Sequence, residues 1–258
     1  MVGASSAAAA VGFDKYKTPQ DVFQRCLEYS KPQSSERAKN AFKWGHDMEP
    51  RVIDMYSRVT GWDVAEGRLY YADPNASGAA NCGILEGDEH RFGVTLDARV
   101  YPYGINAHPD KWFGLECKSP MYHSYSSLKI KDEHMAQIQL QTAVANLQFI
   151  DYCAVFFHKD TGFKTSESIF KRVYHCPEYC RWMLPKLRQF TQCVEKRHNP
   201  QVQADVVPIF PSLRVVDMIQ DNGRDGMTWN WDADILGVRR FHIDTGFSAN
   251  SITSTYRR

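Results

Sequence analysis

Hydrophobic positions along the chain change their spacing several times, and each change marks an element. Thr18-Pro19 reads as an N-cap followed by proline at the first helical position, and Val22, Phe23, Cys26 and Leu27 then form one apolar helical face. Ser34 and Ser35 are placed to cap a second helix with Ala38, Ala41 and Phe42 turned inward. That helix is expected to stop within "WGHDMEP", because Pro50 lacks an amide hydrogen and clashes inside a continuous helix at ~3 kcal/mol. A new helical segment then carries Val52, Ile53, Tyr56 and Val59 on its inner side and ends at Gly61.

From residue 62 to 120 the period is two, the spacing of strands. "RFGVTLDARVY" alternates, with Phe92, Val94, Leu96, Ala98 and Val100 on one face and Thr95, Asp97 and Arg99 on the other. "YPYGINAHPDK" carries the Pro, Gly, Asn and Asp of a long hairpin loop. In "WFGLECKSP", Leu115 and Cys117 oppose Glu116 and Lys118. Residues 131–149 return to helical spacing through Met135, Ile138, Thr142, Ala145 and Phe149. "DYCAVFF" is continuously apolar, as a strand covered on both faces is. Residues 178–197 give an amphipathic helix through Trp182, Leu187, Phe190 and Val194. Beyond Pro200 the pattern weakens: "DNGRDGMTWNWDAD" reads as loop with short structure and "STYRR" as a loose tail.

Composition adds boundaries to this picture. With 258 residues, 43% hydrophobic and 24% charged, the chain suits one large globular enzyme domain. A formal net charge of +1 gives no global pull toward nucleic acid, so such binding must rest on a local basic patch. The seven cysteines (Cys26, Cys82, Cys117, Cys153, Cys176, Cys180, Cys193) form no C-x-x-C pair, and their odd number fits a reducing intracellular compartment. "AAAAVG" lacks the basic leader and long apolar core of a signal peptide. No apolar run approaches the ~18–20 residues of a membrane span, so no membrane partner is expected.

Glu116 and Lys118, two apart on a strand, point to the same side among apolar neighbours. Asp97 lies on the polar side of the preceding strand and meets Glu116 if the two strands pair. Two carboxylates that close repel unless a cation sits between them. Oxygen ligands of this kind select a hard divalent ion such as Mg²⁺, beside which a lysine can orient or deprotonate a water. An exposed strand pair is the competing explanation of the triplet on its own.

The ordered motifs "WGHDMEP", "VTLDARV", "LECKSP" and "HMAQIQLQTAV" resemble the lambda-exonuclease-like viral recombination nucleases of the PD-(D/E)xK superfamily, over roughly residues 2–157. The resemblance implies a restriction-endonuclease-like α/β fold, a central mixed β-sheet flanked by helices with an αβββαβ core. It implies one nuclease domain over 1–258, with 200–258 as a C-terminal extension that contains Trp229 and Trp231. Asp97 and Glu116 would be metal-binding carboxylates, with the Cys117 backbone carbonyl completing the shell, and Lys118 would be the catalytic lysine. Glu49 matches the helical glutamate that supports a second metal; by itself it reads as a solvated helix residue. Gln137 matches the glutamine that helps hold the site. His134 lies three residues earlier on the same helical face, where relatives can carry tyrosine. Gln141 shares that face, and Gln139 points away.

"GASSAAAAVG" is similar to the family's N-terminal serine motif, which makes Ser5, with Ser6 beside it, the match to the serine that holds a 5′-phosphate. A serine capping a small-residue helix is the alternative. Relatives carry an arginine at a position that falls before Met1, and "TLDA" stands where "SPDG" is common. Arg51, Lys129 and Lys131 are candidates for the phosphate backbone, or for a solvated polar face. The implied activity is Mg²⁺-dependent hydrolysis of DNA, 5′→3′ from double-stranded ends, in the recombination or replication of a virus or mobile element, with double-stranded DNA as the partner. Two ions, with Mn²⁺ able to replace Mg²⁺, a single-strand annealing protein and a homotrimer are implied likewise. The alternatives are an endonuclease acting on RNA or structured DNA, and a non-catalytic DNA-binding module.

Overall fold

A computed structural model describes residues 1–27, 36–76, 83–120, 129–157, 164–202, 206–221 and 227–229. The expected caps Ser34 and Ser35, Cys82, Trp231 and the "STYRR" tail lie outside them. The chain opens with β1 (Val2–Gly3), a 3₁₀ turn (Ala4–Ser6), α1 (Ala7–Val11) and α2 (Pro19–Cys26). Thr18 caps α2 as expected: its side chain accepts from the Asp21 N–H while Asp21 reaches back to the Thr18 N–H.

α3 (Glu36–Thr60) runs unbroken through Pro50, against the expected stop. Both sides of the proline are held: Met48 precedes it, Val52, Tyr56 and Val59 follow, and all four enter one core. That burial outweighs the hydrogen bond the proline removes. Gly61 ends the helix in the left-handed region, with its N–H on the Ser57 carbonyl at 2.8 Å. Ala38, Ala41 and Phe42, expected inward, are exposed, because the first turns of α3 extend past the sheet that covers the rest.

β2 (Asp63–Glu66) and β3 (Leu69–Tyr71) follow, then β4 (Phe92–Thr95), β5 (Ala98–Tyr101) and β6 (Phe113–Lys118). α4 (Asp132–Val144) leads to β7 (Phe149–Phe157), β8 (Lys164–Tyr174), α5 (Pro177–Glu195) and β9 (Val215–Asp217). The central sheet has the order β2-β5-β6-β7-β8-β9. β6 and β7 are parallel and every other neighbouring pair is antiparallel. β1, β4 and β3 form a separate three-stranded sheet. With β3 and β4 set aside, the expected αβββαβ order runs α3-β2-β5-β6-α4-β7. α4 ends before Phe149, which opens β7 instead of closing the helix. β9 brings part of the stretch after residue 200 into the central sheet as an edge strand.

The central sheet is covered on both faces. α3 packs one side, where Cys117, Cys153 and Val155 point; α1, α4 and α5 pack the other, where Tyr152, Ala154 and Phe156 point. β7 therefore needs apolar residues at every position, which is why "DYCAVFF" does not alternate. α3 is also pinned by a buried polar contact. Tyr56 Oη donates to Asp151 Oδ2 at 2.5 Å, and Arg172 grips Asp151 through Nε and Nη2 at 2.7 and 3.0 Å. The guanidinium lies 4.0 Å from the Phe149 ring centroid and 4.9 Å from that of Phe113. Both carboxylate oxygens of Asp151 have partners, which is the condition under which such a buried pair is tolerated.

The expected single strand over 92–100 is two strands in two sheets. Phe92, Val94 and Leu96 enter the core on the α4 side, and Ala98 and Val100 enter the core on the α3 side. The chain crosses between layers at Asp97.

Candidate active site

That crossing sets the position of Asp97. The register Ala98↔Leu115 places Asp97 opposite Glu116 one step further on. Cys117 donates its N–H to Asp97 Oδ2 at 2.7 Å instead of to a neighbouring strand. In an extended strand the N–H and C=O of one residue share an edge, so the Cys117 carbonyl lies on the Asp97 side. The crossing depends on Gly67, whose N–H donates to the Asp97 carbonyl at 3.2 Å. A Cβ at 67 would stand 1.6 Å from the Leu96 carbonyl oxygen. Gly67→Ala is expected to cost about 1–3 kcal/mol and to shift Asp97. A thermal melt at unchanged Tm would contradict this dependence.

Glu116 is fully buried, and both of its oxygens are held. Lys118 Nζ and Gln137 Nε2 donate to Oε1, the latter at 2.6 Å. Gln141 Nε2 donates to Oε2 at 2.6 Å and to the Thr95 carbonyl at 3.0 Å. Gln137 and Gln141 stand one turn apart on α4, so a single helical face addresses one carboxylate. Gln139 faces away as expected, with its amide on the Tyr174 carbonyl and the Cys176 N–H.

Trp44 Nε1 donates to the Ser119 carbonyl at 3.0 Å, tying α3 to the end of β6 and bringing Glu49 to the site. Burial, with Glu116 next in weight, pushes the Glu49 carboxyl up. The same two causes push Asp97 up to about 8, against the opposing pull of Lys118 and the Cys117 N–H. Burial pulls Lys118 down, but Glu116 and Asp97 outweigh it and raise the ammonium above its ordinary value. Crowded, desolvated carboxylates of this kind are stabilised by a nearby cation. Among the described residues no three acidic, His or Cys side chains form a cage of their own. Two carboxylates and a carbonyl suit Mg²⁺, which keeps much of its water shell and is completed by substrate phosphates.

The remaining expected residues are placed less uniformly. His134 Nδ1 pairs with Tyr152 Oη at 2.8 Å, and burial, with Lys118 and Lys131 nearby, holds it down at about 3. It therefore brings no positive charge to a phosphate at neutral pH. Ser5 is exposed and Ser6 buried in the 3₁₀ turn, which packs against α4. Since β1 runs parallel to β4, this turn follows toward the Asp97 end of that strand. Ser6 occupies the N-cap position of α1 without making a side-chain cap bond, so capping does not explain it. It lines a pocket together with Val22, Arg25 and Cys26. Arg51 is exposed two residues past Glu49, hence ~200° around the helix from it. Lys131 is the N-cap residue of α4 and Lys129 is exposed just before it.

Sequence reasoning placed Gln141 on the correct face but gave it no role; its spacing of four from Gln137 was the available signal. Arg25 was not singled out, because nothing local in the sequence links it to Ser6.

Residues 1–148 match the YqaJ-like viral recombinase domain. No curated protein sequence matches the chain. The structure resembles an alkaline exonuclease from Laribacter hongkongensis with a TM-score of 0.52 at 20% identity, over 76% of this chain and 88% of that one. The same exonuclease in complex with dAMP gives a TM-score of 0.52, 20% identity and coverage of 76% and 88%. The likeness is one of fold, and that fold is restriction-endonuclease-like. No helix among the described residues is long and apolar enough to cross a membrane.

Proposed function

The chain belongs to the YqaJ-like viral recombinase family, a nuclease family, and on that premise we propose that it is a Mg²⁺-dependent deoxyribonuclease that degrades double-stranded DNA from 5′ ends. The observation that carries the reading is the meeting of Asp97, Glu116 and Lys118 at the β5–β6 edge, where burial and Glu116 hold Asp97 at about 8. Asp97, Glu116 and the Cys117 carbonyl would hold one ion, and Glu49 would support a second. The ion, when bound, supplies charge stabilisation at the scissile phosphate and activation of a water. Lys118, kept protonated by its two acidic neighbours, orients that water and offsets developing negative charge. Gln137 and Gln141 hold Glu116 in one rotamer, so the carboxylate does not have to reorganise during the reaction.

End recognition is supported by the pocket that Ser6 shares with Arg25. A pocket lined by a hydroxyl and a guanidinium is suited to a phosphate, with Arg25 on α2 as its cation. Lys129, Lys131 and Arg51 would add sequence-independent contacts to the backbone. The six cysteines among the described residues are free thiols, chemistry that suits a reducing compartment.

The test compares a 5′-phosphorylated linear duplex, its 5′-hydroxyl counterpart, circular DNA and RNA, each with Mg²⁺ and with EDTA. Mg²⁺-dependent degradation of the linear duplex, faster with the phosphate, is expected. Cleavage of circles or RNA at equal rates would replace the exonuclease reading with an endonuclease. No cleavage of any substrate would leave a binding module.

A further inference from the structure

Gln141 makes a contact that none of the other side chains around Glu116 makes. Its Nε2 donates to Glu116 Oε2 on β6 and also to the carbonyl of Thr95, two residues before Asp97. One amide thus bridges the strand that carries one carboxylate and the layer crossing that carries the other. Gln137 and Lys118 donate to the other oxygen, Oε1, and neither is hydrogen-bonded to the strand crossing; Lys118 acts on Asp97 only through its charge. The direction of the Gln141 amide is fixed: turned over, its oxygen would face two acceptors. The Oε1 atom is buried and has no hydrogen-bond partner among the described groups. A buried acceptor on an amide that holds the Glu116 carboxylate is placed to take hydrogen from the water shell that a bound Mg²⁺ would retain.

We infer that Gln141 is the positioning residue that fixes the gap between the Asp97 and Glu116 carboxylates, and with it the size of divalent ion the site accepts. The inference rests on the metal site proposed above. Mg²⁺ requires oxygens at about 2.0–2.1 Å in near-octahedral geometry, whereas Ca²⁺ tolerates about 2.3–2.6 Å in flexible arrangements. A fixed gap favours the smaller ion, and a slack one removes that preference. Gln141→Met keeps the length of the side chain and removes both donors and the acceptor. Gln141→Asn keeps the amide but is too short to span both partners. Gln137→Met removes a single bond to Oε1 and leaves the bridge intact.

The experiment titrates the full metal-free chain and its variants with MgCl₂ and with CaCl₂ by calorimetry, with a thermal melt of each protein. In Gln141→Met, Mg²⁺ affinity is expected to fall ~10–100-fold, the usual loss when a ligand's supporting partner is removed. Ca²⁺ affinity is expected to stay near that of the parent. Gln141→Asn is expected to lose the same preference, which keeps the test decisive if the methionine variant melts early. Gln137→Met is expected to retain the parent's Mg²⁺/Ca²⁺ ratio. Parallel losses for both ions, or an unchanged ratio in both Gln141 variants, would overturn the inference while leaving the metal site standing. A parent chain that binds neither ion would overturn the metal site itself.

Discussion

Lys118→Ala is expected to lower cleavage of a linear duplex by ~10²–10⁴-fold, the usual contribution of a positioned proton-transfer or charge-stabilising group. DNA affinity is expected to change little, because backbone contacts spread over many side chains dominate nucleic-acid binding. The fold should survive the change. Glu116 loses the ammonium but keeps the two amide donors of Gln137 and Gln141, so no buried carboxylate is stripped of partners. Lys118 is also one of the groups that hold Asp97 down, so its removal raises that carboxyl further. Single-turnover nucleotide release measures the chemistry, and fluorescence anisotropy on labelled duplex measures binding. Cleavage within tenfold of the parent would remove Lys118 from the reaction.

Asp97→Asn is expected to abolish cleavage and, in EDTA, to make the protein more stable at neutral pH. The folded-state pKa of Asp97, about 8, lies above its ordinary value of 3.8, chiefly through burial and then Glu116. The fold therefore prefers the protonated carboxyl. The stability this gives is fully present below about pH 3.8 and is lost as pH rises through about 8. The loss at the upper end is on the order of a few kcal/mol, which corresponds to roughly 5–10 °C in Tm for a chain of this size. Asparagine retains an acceptor for the Cys117 N–H without the charge, so the difference in Tm between parent and variant should open between pH 4 and 8 in EDTA. Saturating Mg²⁺ should close or reverse it, since only the carboxylate binds the ion. Parallel melting curves for parent and variant across that window would show that Asp97 is not strained by its surroundings.

The elements most legible in the sequence are those with one covered face or an explicit end signal. Thr18-Pro19 fixed the start of α2, and the spacing of Val52, Tyr56 and Val59 identified the inner side of α3. Pro50 misled because propensity is local, whereas Met48 and Val52 are buried together by the sheet. The period-two pattern from Phe92 to Val100 was real, but it does not say which face of a sheet counts as inside. When both faces are covered, a chain can change layers and keep alternating, and it does so at Asp97. β8 is not singled out by the sequence, because both its faces are covered: Ile169 and Val173 enter one core and Phe170 the other, so no single face is marked apolar. The contact of Tyr56 with Asp151 joins residues 95 apart and leaves no local trace.

The candidate site divides in the same way. Asp97, Glu116 and Lys118 could be read from strand alternation, since two positions along one strand and a paired neighbour determine their meeting. The bridge made by Gln141 could not, because it depends on where α4 settles over the β4–β5 crossing. Ser6 and Arg25 come together only through the packing of the first two helices.

A crystal of the protein soaked in Mn²⁺ and measured at the manganese edge locates the ion without reference to activity. An anomalous peak between the Asp97 and Glu116 carboxylates, within coordination distance of the Cys117 carbonyl and absent from an Asp97→Asn crystal, is the expected result. A peak elsewhere, or none there at saturating Mn²⁺, would contradict the assignment of these residues as a metal-dependent nuclease centre.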